Sequence, residues 1–569
     1  MSWLVFLITL PLVWALWTGY TFLVSYNLAR QIGLPIVFAP WSSINAAWII
    51  FRDQLIPFVR ALPWGLGRFV RYNYIGWGFQ DKYHMHQELG GAFVVVSPGR
   101  VEIHVADAKA VESIMYRRKD FPKPADLYKP FEILGPNLVT VEGEEWQRHK
   151  KITVPPFNER NSKLVWKESL RQAQDMLSWW TGHGKTGVST IVDDTMKLAL
   201  HVITCAGFGK SYSFLSRDEL ESPGSGFTLS YRDAMELILR NLRAAFVLPR
   251  NILSISYLLP QKVLKIGHAI QDLNKHLAEM LETEKSLISK RDSGAPNLLS
   301  TLIRNSEETR RAEGRGQGLS DREIVGNIFV FSVAGHETTA NALTYSILLL
   351  AANPKLQEWL SEEINQVLGD RQYIETWEYE KIFPQLKRCL ALMFETLRLY
   401  GSVPFIPKST TSQAQPLTIG KHHYIIPPHT HVICNAAALH TLPHYWGADS
   451  MVWRPSRWLV SSDTTGSASR TGPGNEAFIE PPKGTFVPWS DGARGCPGKK
   501  FAQVEFVAVM SRLFRHHRVR PVMLDGEDGE AVKERILSTL EDSMVKITLR
   551  LQNPESVSLI WAKVGPMWP

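Results

Sequence analysis

Phe486-Val-Pro-Trp489-Ser-Asp-Gly492-Ala-Arg494-Gly-Cys496-Pro-Gly498 is the stretch on which the reading of this 569-residue chain turns. It holds one of only four cysteines. The others, Cys205, Cys389 and Cys434, lie far apart without any CxxC pair and read as buried thiols. Gly492 and Gly498 let the backbone bend closely around the sulfur of Cys496 without Cβ clashes. Residues 499–512 have the pattern of an amphipathic helix, whose N-terminal dipole favours a thiolate. A structural cysteine in a glycine-rich loop is the bland alternative, so the rest of the chain must decide.

A second segment, Ala334-Gly335-His336-Glu337-Thr338-Thr339, falls in the middle of a long apolar helix. Ser320-x-x-Glu323 has the capping-box form that opens a helix, and Asn353-Pro354 closes it after about Ala352. At about 1.5 Å per residue such a helix is roughly 50 Å long. With apolar stretches at 328–334 and 347–352 it must pass through the protein's centre. A glycine at mid-helix costs about 1 kcal/mol, understandable if Gly335 lets the helix approach a ligand. Thr338 can bond back to a carbonyl or hold water, and Glu337 can connect to bulk protons. The bland reading is a polar kink in a core helix, but such a buried polar cluster without a task is expensive.

Two further segments complete the pattern: Glu395-Thr396-Leu397-Arg398 with Trp453-Arg-Pro455-Ser-Arg457-Trp458, and Trp146-Gln-Arg148-His149-Lys150-Lys151. An acid–base pair at i,i+3 is usually a solvated helix face. Three look-alikes fail on spacing. Gly184-Lys185-Thr186 lacks the first glycine of a phosphate loop, because Trp179 stands there. The run from Gly314 to Gly318 lacks the third glycine of a dinucleotide fingerprint. His336-Glu337 has Ala340 where a zinc-protease helix needs its second histidine.

In this order and at these separations, the four segments resemble the motifs of cytochromes P450 over roughly residues 60–550. The loop pattern Phe-x-x-Gly-x-Arg-x-Cys-x-Gly is kept throughout, with Trp489 in place of the phenylalanine. The resemblance implies a mainly α (α+β) fold, a helical prism with small β-sheets. It implies haem b with Cys496 as axial ligand to the iron. Arg494, Trp146, Lys150 and Lys408 would lie at the haem propionates, and Gly335, Trp489 and Gly498 against the haem. Glu337 and Thr338 would deliver protons, and Glu395, Arg398 and Arg457 would form a buried structural triad. Lys150 and Lys408 stand where the family usually has arginine; a lysine is a point donor and cannot fork onto a carboxylate.

The implied reaction is insertion of one oxygen atom from O₂ into a lipophilic molecule, by hydroxylation or epoxidation. The resemblance implies NADPH and flavins as the electron source, through NADPH–cytochrome P450 reductase, with cytochrome b5 as a second donor. A haem-thiolate isomerase or dehydratase and a non-catalytic membrane haem protein are the alternatives, and the Glu337-Thr338 pair argues against both. The overall texture suggests a filamentous-fungal enzyme of secondary metabolism.

Composition agrees with a large core: 44% of residues are apolar and 21% charged. The net charge of +8 comes without nucleic-acid motifs, so lipid and an acidic protein partner are favoured. Lys499, Lys500, Arg148, His149 and Lys151 are expected to form a basic docking face for the reductase.

Residues 1–29 carry no charged side chain, which predicts a transmembrane anchor of about 20 residues. Arg30, Arg52, Arg60, Arg68 and Arg71 then place the bulk of the chain on the cytosolic side, at the endoplasmic reticulum. Residues 30–61, with Gly33, Pro35 and Pro40, read as a hinge and interfacial segment, and 62–569 as the catalytic domain.

Elsewhere, 92–105 reads as a hairpin about Pro98-Gly99, 304–318 as an exposed loop and 461–483 as a surface insertion. The substrate pocket is expected from 128–139, helices within 231–259, 331–334 and 403–406.

Overall fold

Ser320 opens the central helix as its sequence suggests: its hydroxyl accepts the Glu323 amide at 3.3 Å, while the Glu323 carboxylate accepts the Ser320 amide at 2.8 Å. The computed structural model describes residues 2–215, 226–241, 260–290, 297–314, 316–461 and 473–564. The longer helices, in chain order, are α1 (Ser2–Ile32), α2 (Ala46–Arg60), α3 (Ala108–Tyr116), α4 (Gly143–Thr153) and α5 (Glu159–Gly182). Then come α6 (Ile191–Phe208), α7 (Tyr231–Arg240), α8 (Gln261–Ser289), α9 (Leu298–Glu313) and the capped central helix α10 (Asp321–Ala351). After it follow α11 (Pro354–Leu368), α12 (Lys387–Leu399), α13 (Lys499–Phe514) and α14 (Gly529–Glu541). From Val325 to Ala351 almost every residue of α10 is buried, the exceptions being Phe331, Ala334, Gly335 and Thr338. The helix therefore runs through the core, against α6, α12 and α13.

The strands β1 (Ile36–Phe38), β2 (Ala92–Ser97), β3 (Arg100–Val105), β4 (Phe405–Ser409), β5 (Gln415–Ile419), β6 (His422–Ile426) and β7 (His431–Asn435) lie to one side. One five-stranded sheet has the order β1-β2-β3-β7-β4, and β5 and β6 form a hairpin of their own. The hairpin about Pro98-Gly99 is present, with Val94 opposite Ile103. Its alternation sorts two cores rather than core from solvent. Val94, Val96, Val101 and Ile103 face α3 and the end of α1, whereas Phe93 and Val95 face Trp77 and Met85. Even Glu102 and His104 are buried; Arg100 Nε reaches Glu102 at 2.6 Å, and the His104 ring stacks on Phe93. A sheet covered on both faces needs such partners for its polar residues.

Three expectations change. Residues 304–313 are not loop but the second half of α9. The Asn297–Ser300 capping box nucleates the helix, and Leu298, Leu299, Leu302, Ile303 and Ser306 bury one face. Beyond Ser306 the helix is solvated, so it carries no apolar period to read. The start of the segment 30–61, expected as a hinge, packs as regular structure: α1 continues to Ile32, and Val37 pairs in parallel with Val95.

The third concerns the anchor expected over 1–29. Among the described residues no helix is long and apolar enough to cross a membrane. Thr9, Pro11, Thr18, Gly19, Thr21 and Ser25 dilute the apolar run, and Ala29 and Ile32 are buried against the sheet instead. The side chains of residues 2–8 lie outside the described part, as do 462–472 of the expected insertion and 242–259 of the expected pocket helices.

Candidate active site

Cys496 sits in the loop that ends at α13, and short contacts fix that loop. Its amide donates to the Trp489 carbonyl at 2.8 Å. Gly492 has φ +65°, and a Cβ there would stand 2.9 Å from the Met115 carbonyl oxygen, so the close approach to α3 requires glycine. Cys496 is exposed by surface area yet deep in the protein, because that exposed surface opens on an internal cavity. Burial raises its pKa, while the amides of Gly498 and Lys499 and the charge of Lys123 pull the other way.

The cavity measures about 670 Å³. Ala334, Gly335, Thr338 and Thr339 of α10 line one wall, and the loop from Gly492 to Gly498 lines the facing one. Between them stand Leu138, Phe157, Ile203, Val330, Phe331, Val403, Phe405 and Ile406. The expected 403–406 and 331–334 segments thus contribute; Tyr128, Leu138 and Val139 do so from 128–139, but Phe131, Ile133 and Leu134 do not. The Thr338 hydroxyl donates to the Ala334 carbonyl at 2.8 Å, the back-bond its sequence allows. A Cβ at Gly335 would meet nothing nearer than Ile203 at 3.5 Å. The protein's own packing therefore does not require glycine here, and the space opens on the cavity.

One edge of the cavity is crowded with cations. Arg494 ion-pairs with Glu142, donates to the Val141 carbonyl at 3.0 Å and lies 4.2 Å from the Trp146 ring centre. Arg118 covers the same ring at 4.6 Å, and Lys150 reaches the Ala493 carbonyl at 3.1 Å. Lys408 is 2% exposed, and no hydrogen bond or ion pair to its ammonium occurs among the described residues. Lys123 donates to the Val139 carbonyl at 3.1 Å. Burial, with Arg494 and Lys408 adding to it, pulls the Lys123 pKa down to about 7. Burial also lowers Lys408 and Arg494. Several buried cations facing one carboxylate are costly unless anions join them. Nothing in the sequence around Lys123 signalled this role.

Glu337 is not brought to the cavity. Its carboxylate, 2% exposed, ion-pairs with Arg550, which sits in a short strand at 549–551. Next to it His336 is buried, and burial drops its pKa to about 3. The triad does assemble. Arg398 grips Glu395 at 2.8 and 2.9 Å, and Arg457 reaches Glu395 at 3.1 Å. Trp458 Nε1 adds a bond to Glu395 at 3.0 Å, and Arg398 donates to the His440 carbonyl at 2.8 Å.

The expected basic face is largely neutralised. Arg148 pairs with Glu323, His149 is buried against Glu323 and Asn327, and Lys151 pairs with Glu313. Only Lys499 and Lys500 of the five have no acidic partner among the described residues; their ammonium groups lie over Trp489 and Phe383.

A flat dianionic metalloporphyrin fits this arrangement. Its carboxylates would answer the cations around Trp146, its face the glycine wall of α10, and its metal the sulfur of Cys496. Bound there, haem supplies reductive activation of O₂; the protein supplies orientation and polarity. Fold and site together define a haem-thiolate oxidoreductase.

Comparison with known proteins agrees. The cytochrome P450 family model matches residues 62–543, and the chain belongs to that family. A cytochrome P450 monooxygenase of Arthrobotrys oligospora is 30% identical over 94% of both chains. One of Penicillium roqueforti is 30% identical over 89% of both. A monooxygenase of the phomenoic acid biosynthesis cluster of Leptosphaeria maculans is 28% identical over 98% of this chain and 97% of its own. The chain is thus a haem-thiolate monooxygenase of fungal type, and NADPH with a flavin-bearing reductase is the family's usual electron source.

Proposed function

We propose that this monooxygenase hydroxylates or epoxidises a lipophilic intermediate of secondary metabolism, with Cys496 as its iron ligand. The observation that carries the reading is the cavity, in which an apolar chamber is closed by Thr338 on one side and the Cys496 loop on the other. Leu138, Phe157, Phe331, Val403 and Phe405 offer mainly apolar surface, which selects a lipophilic guest. The Leptosphaeria relative's place in a biosynthetic cluster supports the metabolic setting.

In this reading Trp146, Lys150, Lys408 and Arg494 hold the haem carboxylates. Gly335, Trp489 and Gly498 lie against the ring. Thr338 holds a water or proton beside the oxygen site, and Glu337 passes protons in from the Arg550 side. Glu395, Arg398 and Arg457 hold the cysteine loop in place.

NADPH–cytochrome P450 reductase is the proposed electron donor, docking at the end of the molecule that carries Lys499 and Lys500, with cytochrome b5 as a second donor. Residues 62–569 form the proposed catalytic domain. Attachment to the endoplasmic reticulum with that domain in the cytosol is supported by α1, whose Leu10, Val13, Trp14, Leu16, Trp17 and Tyr20 are all more than half exposed. Apolar surface of that extent calls for a cover, and a bilayer supplies one.

The test is spectroscopic. The reduced protein under carbon monoxide should show the red-shifted Soret band of thiolate ligation, and Cys496→Ala should abolish it. A compound library should then yield lipophilic molecules that change the ferric spin state and are oxidised at the expense of NADPH. A Cys496→Ala protein that keeps the band ends the assignment of the ligand.

A further inference from the structure

We propose that the end of α2 and the turn Pro63–Arg71 form a binding site for the headgroup of an anionic phospholipid, with Arg60 and Arg68 holding its phosphate. The proposal rests on attachment of the chain to a bilayer and adds to it a lipid-selective contact, separate from α1 and from the haem cavity.

Two glycines bring the arginines together. A Cβ at Gly67 would collide with the Val59 carbonyl oxygen, so the turn lies directly on the end of α2, beside Arg60. Gly65 has φ +73°, and a Cβ there would stand 2.9 Å from Arg68 Nε; the missing side chain leaves room for the guanidinium to fold back over the turn. The result is a cleft of about 370 Å³ lined by Arg60, Arg68, Arg71 and Tyr74. Arg71 is already engaged, by Asp81 at 2.7 Å and Glu88 at 2.8 Å, and the second Asp81 oxygen accepts the Met85 amide at 2.8 Å. Arg60 and Arg68 have no acidic partner among the described residues. The cleft therefore keeps two positive charges for a ligand, and guanidinium groups match the oxygens of a phosphate.

What surrounds the cleft makes that phosphate a lipid's. The inner face of α2 is satisfied: Trp48 packs with Phe69 and Val70, and Ile56 and Val59 lie against them. The outer face is apolar as well. Phe51, Leu55 and Phe58 recur down one side of the helix, and Leu62 and Leu66 carry the line into the turn; all five are between 43% and 73% exposed. Arg60 follows Phe58, and Arg68 follows Leu66, by two residues each, so the charges border the apolar line. An apolar stripe edged by arginines is the pattern of a helix lying at the headgroup boundary, with acyl chains on one side and phosphate on the other. The position is continuous with α1: Phe38 of β1 packs on Phe22 and Tyr26, and its carbonyl accepts the Tyr72 hydroxyl, next to Arg71, at 2.7 Å. A soluble phosphate compound would use the arginines and leave the stripe uncovered.

The experiment uses the full-chain holoenzyme in phosphatidylcholine vesicles and compares spin-labelled phosphatidic acid with spin-labelled phosphatidylcholine by electron paramagnetic resonance. Co-flotation with the vesicles is recorded first; it reports attachment through α1 and stands or falls apart from headgroup choice. Wild type should immobilise phosphatidic acid with about tenfold preference, as expected for two arginines at an anionic headgroup. The double variant Arg60→Gln/Arg68→Gln should float as before and bring the preference to within about twofold of none, whereas Arg60→Lys/Arg68→Lys should keep most of it. Excess glycerol 3-phosphate, which has the phosphate without the chains, should leave the preference in place. Amide hydrogen exchange over 50–68 in wild type should slow more on vesicles containing phosphatidic acid than on phosphatidylcholine alone, a readout that needs no variant to fold. Equal immobilisation of the two lipids by wild type, an undiminished preference in the glutamine variant, equal loss in the lysine and glutamine variants, displacement by glycerol 3-phosphate, or equal exchange on both vesicles would each overturn the proposal.

Discussion

Glu337 and Arg550 form an ion pair that turns the acidic residue of α10 away from the cavity, while Thr338 beside it faces in. The Glu337 side chain is 2% exposed, so Arg550 is what allows a carboxylate to remain at that depth. Removing one partner of a buried pair leaves an uncompensated charge, which costs on the order of 3 kcal/mol. Arg550→Met should lower the thermal unfolding midpoint of the ferric enzyme accordingly. Adding Glu337→Gln should restore part of the loss, because the stranded charge is then gone. A single Arg550→Met variant as stable as wild type would show that the pair does not hold Glu337 in place.

Thr338 leads to a second prediction. Its hydroxyl donates back to Ala334 and offers its lone pairs to the cavity, where a water or substrate oxygen can donate to them. Thr338→Ala removes that acceptor with little change in volume, so haem binding and fold should survive. Proton supply should suffer, with product per NADPH falling about tenfold and hydrogen peroxide rising to match. Parallel assay of NADPH, peroxide and product checks this. Unchanged coupling would remove Thr338 from the proton path.

These two residues also show how far the sequence could be read. Gly335, Thr338 and Cys496 were legible because each lies in a local pattern whose spacing survives folding, and the structure brings all three to one cavity. Glu395 with Arg398 was legible for the same reason, since i,i+3 on a helix is contact by construction. Arg550, Lys123 and Glu142 were not. Each acts across 16 or more positions, with Arg550 213 residues from Glu337, and no helical or strand period links such positions. The second half of α9 was missed for a different reason: a helix with one solvated end shows charge rather than periodicity. The basic face was misjudged because its acidic partners, Glu323 and Glu313, come from α10 and α9.

His440 connects the triad to the cysteine loop. Its carbonyl accepts from Arg398, and its Nε2 accepts the Val487 amide at 2.9 Å. Burial, with the nearby Arg398 charge, drops the pKa to about 3, so the ring stays neutral and keeps an acceptor for that amide. His440→Ala strands the Val487 N–H in the core, at a cost of about 1–3 kcal/mol. The expected result is a lower unfolding midpoint together with faster haem transfer to apomyoglobin, because the loop bearing Cys496 loses an anchor. A variant that is destabilised but retains haem at the wild-type rate would separate His440 from the loop.

The sheet carries a pH prediction. His104 is packed among Phe93, Trp77 and Phe405, and burial drops its pKa to about 4. In the unfolded chain a histidine titrates near 6.5. Above that value both states are neutral and its contribution to stability is complete. Between about 6.5 and 4 the unfolded state binds the proton and the folded state does not, so stability falls with falling pH. The slope is about 1.4 kcal/mol per pH unit for this one group, or about 2 kcal/mol by pH 5. His104→Phe keeps an aromatic ring in the same stack and abolishes the proton uptake. Denaturant unfolding at pH 7 and pH 5 should show the variant losing about 2 kcal/mol less than wild type over that interval. His86, also buried, with a pKa pushed down to about 3, keeps its own share of the slope, so the variant should remain acid-sensitive in part. If wild type and His104→Phe lose the same stability between the two pH values, His104 takes up no proton on acid unfolding.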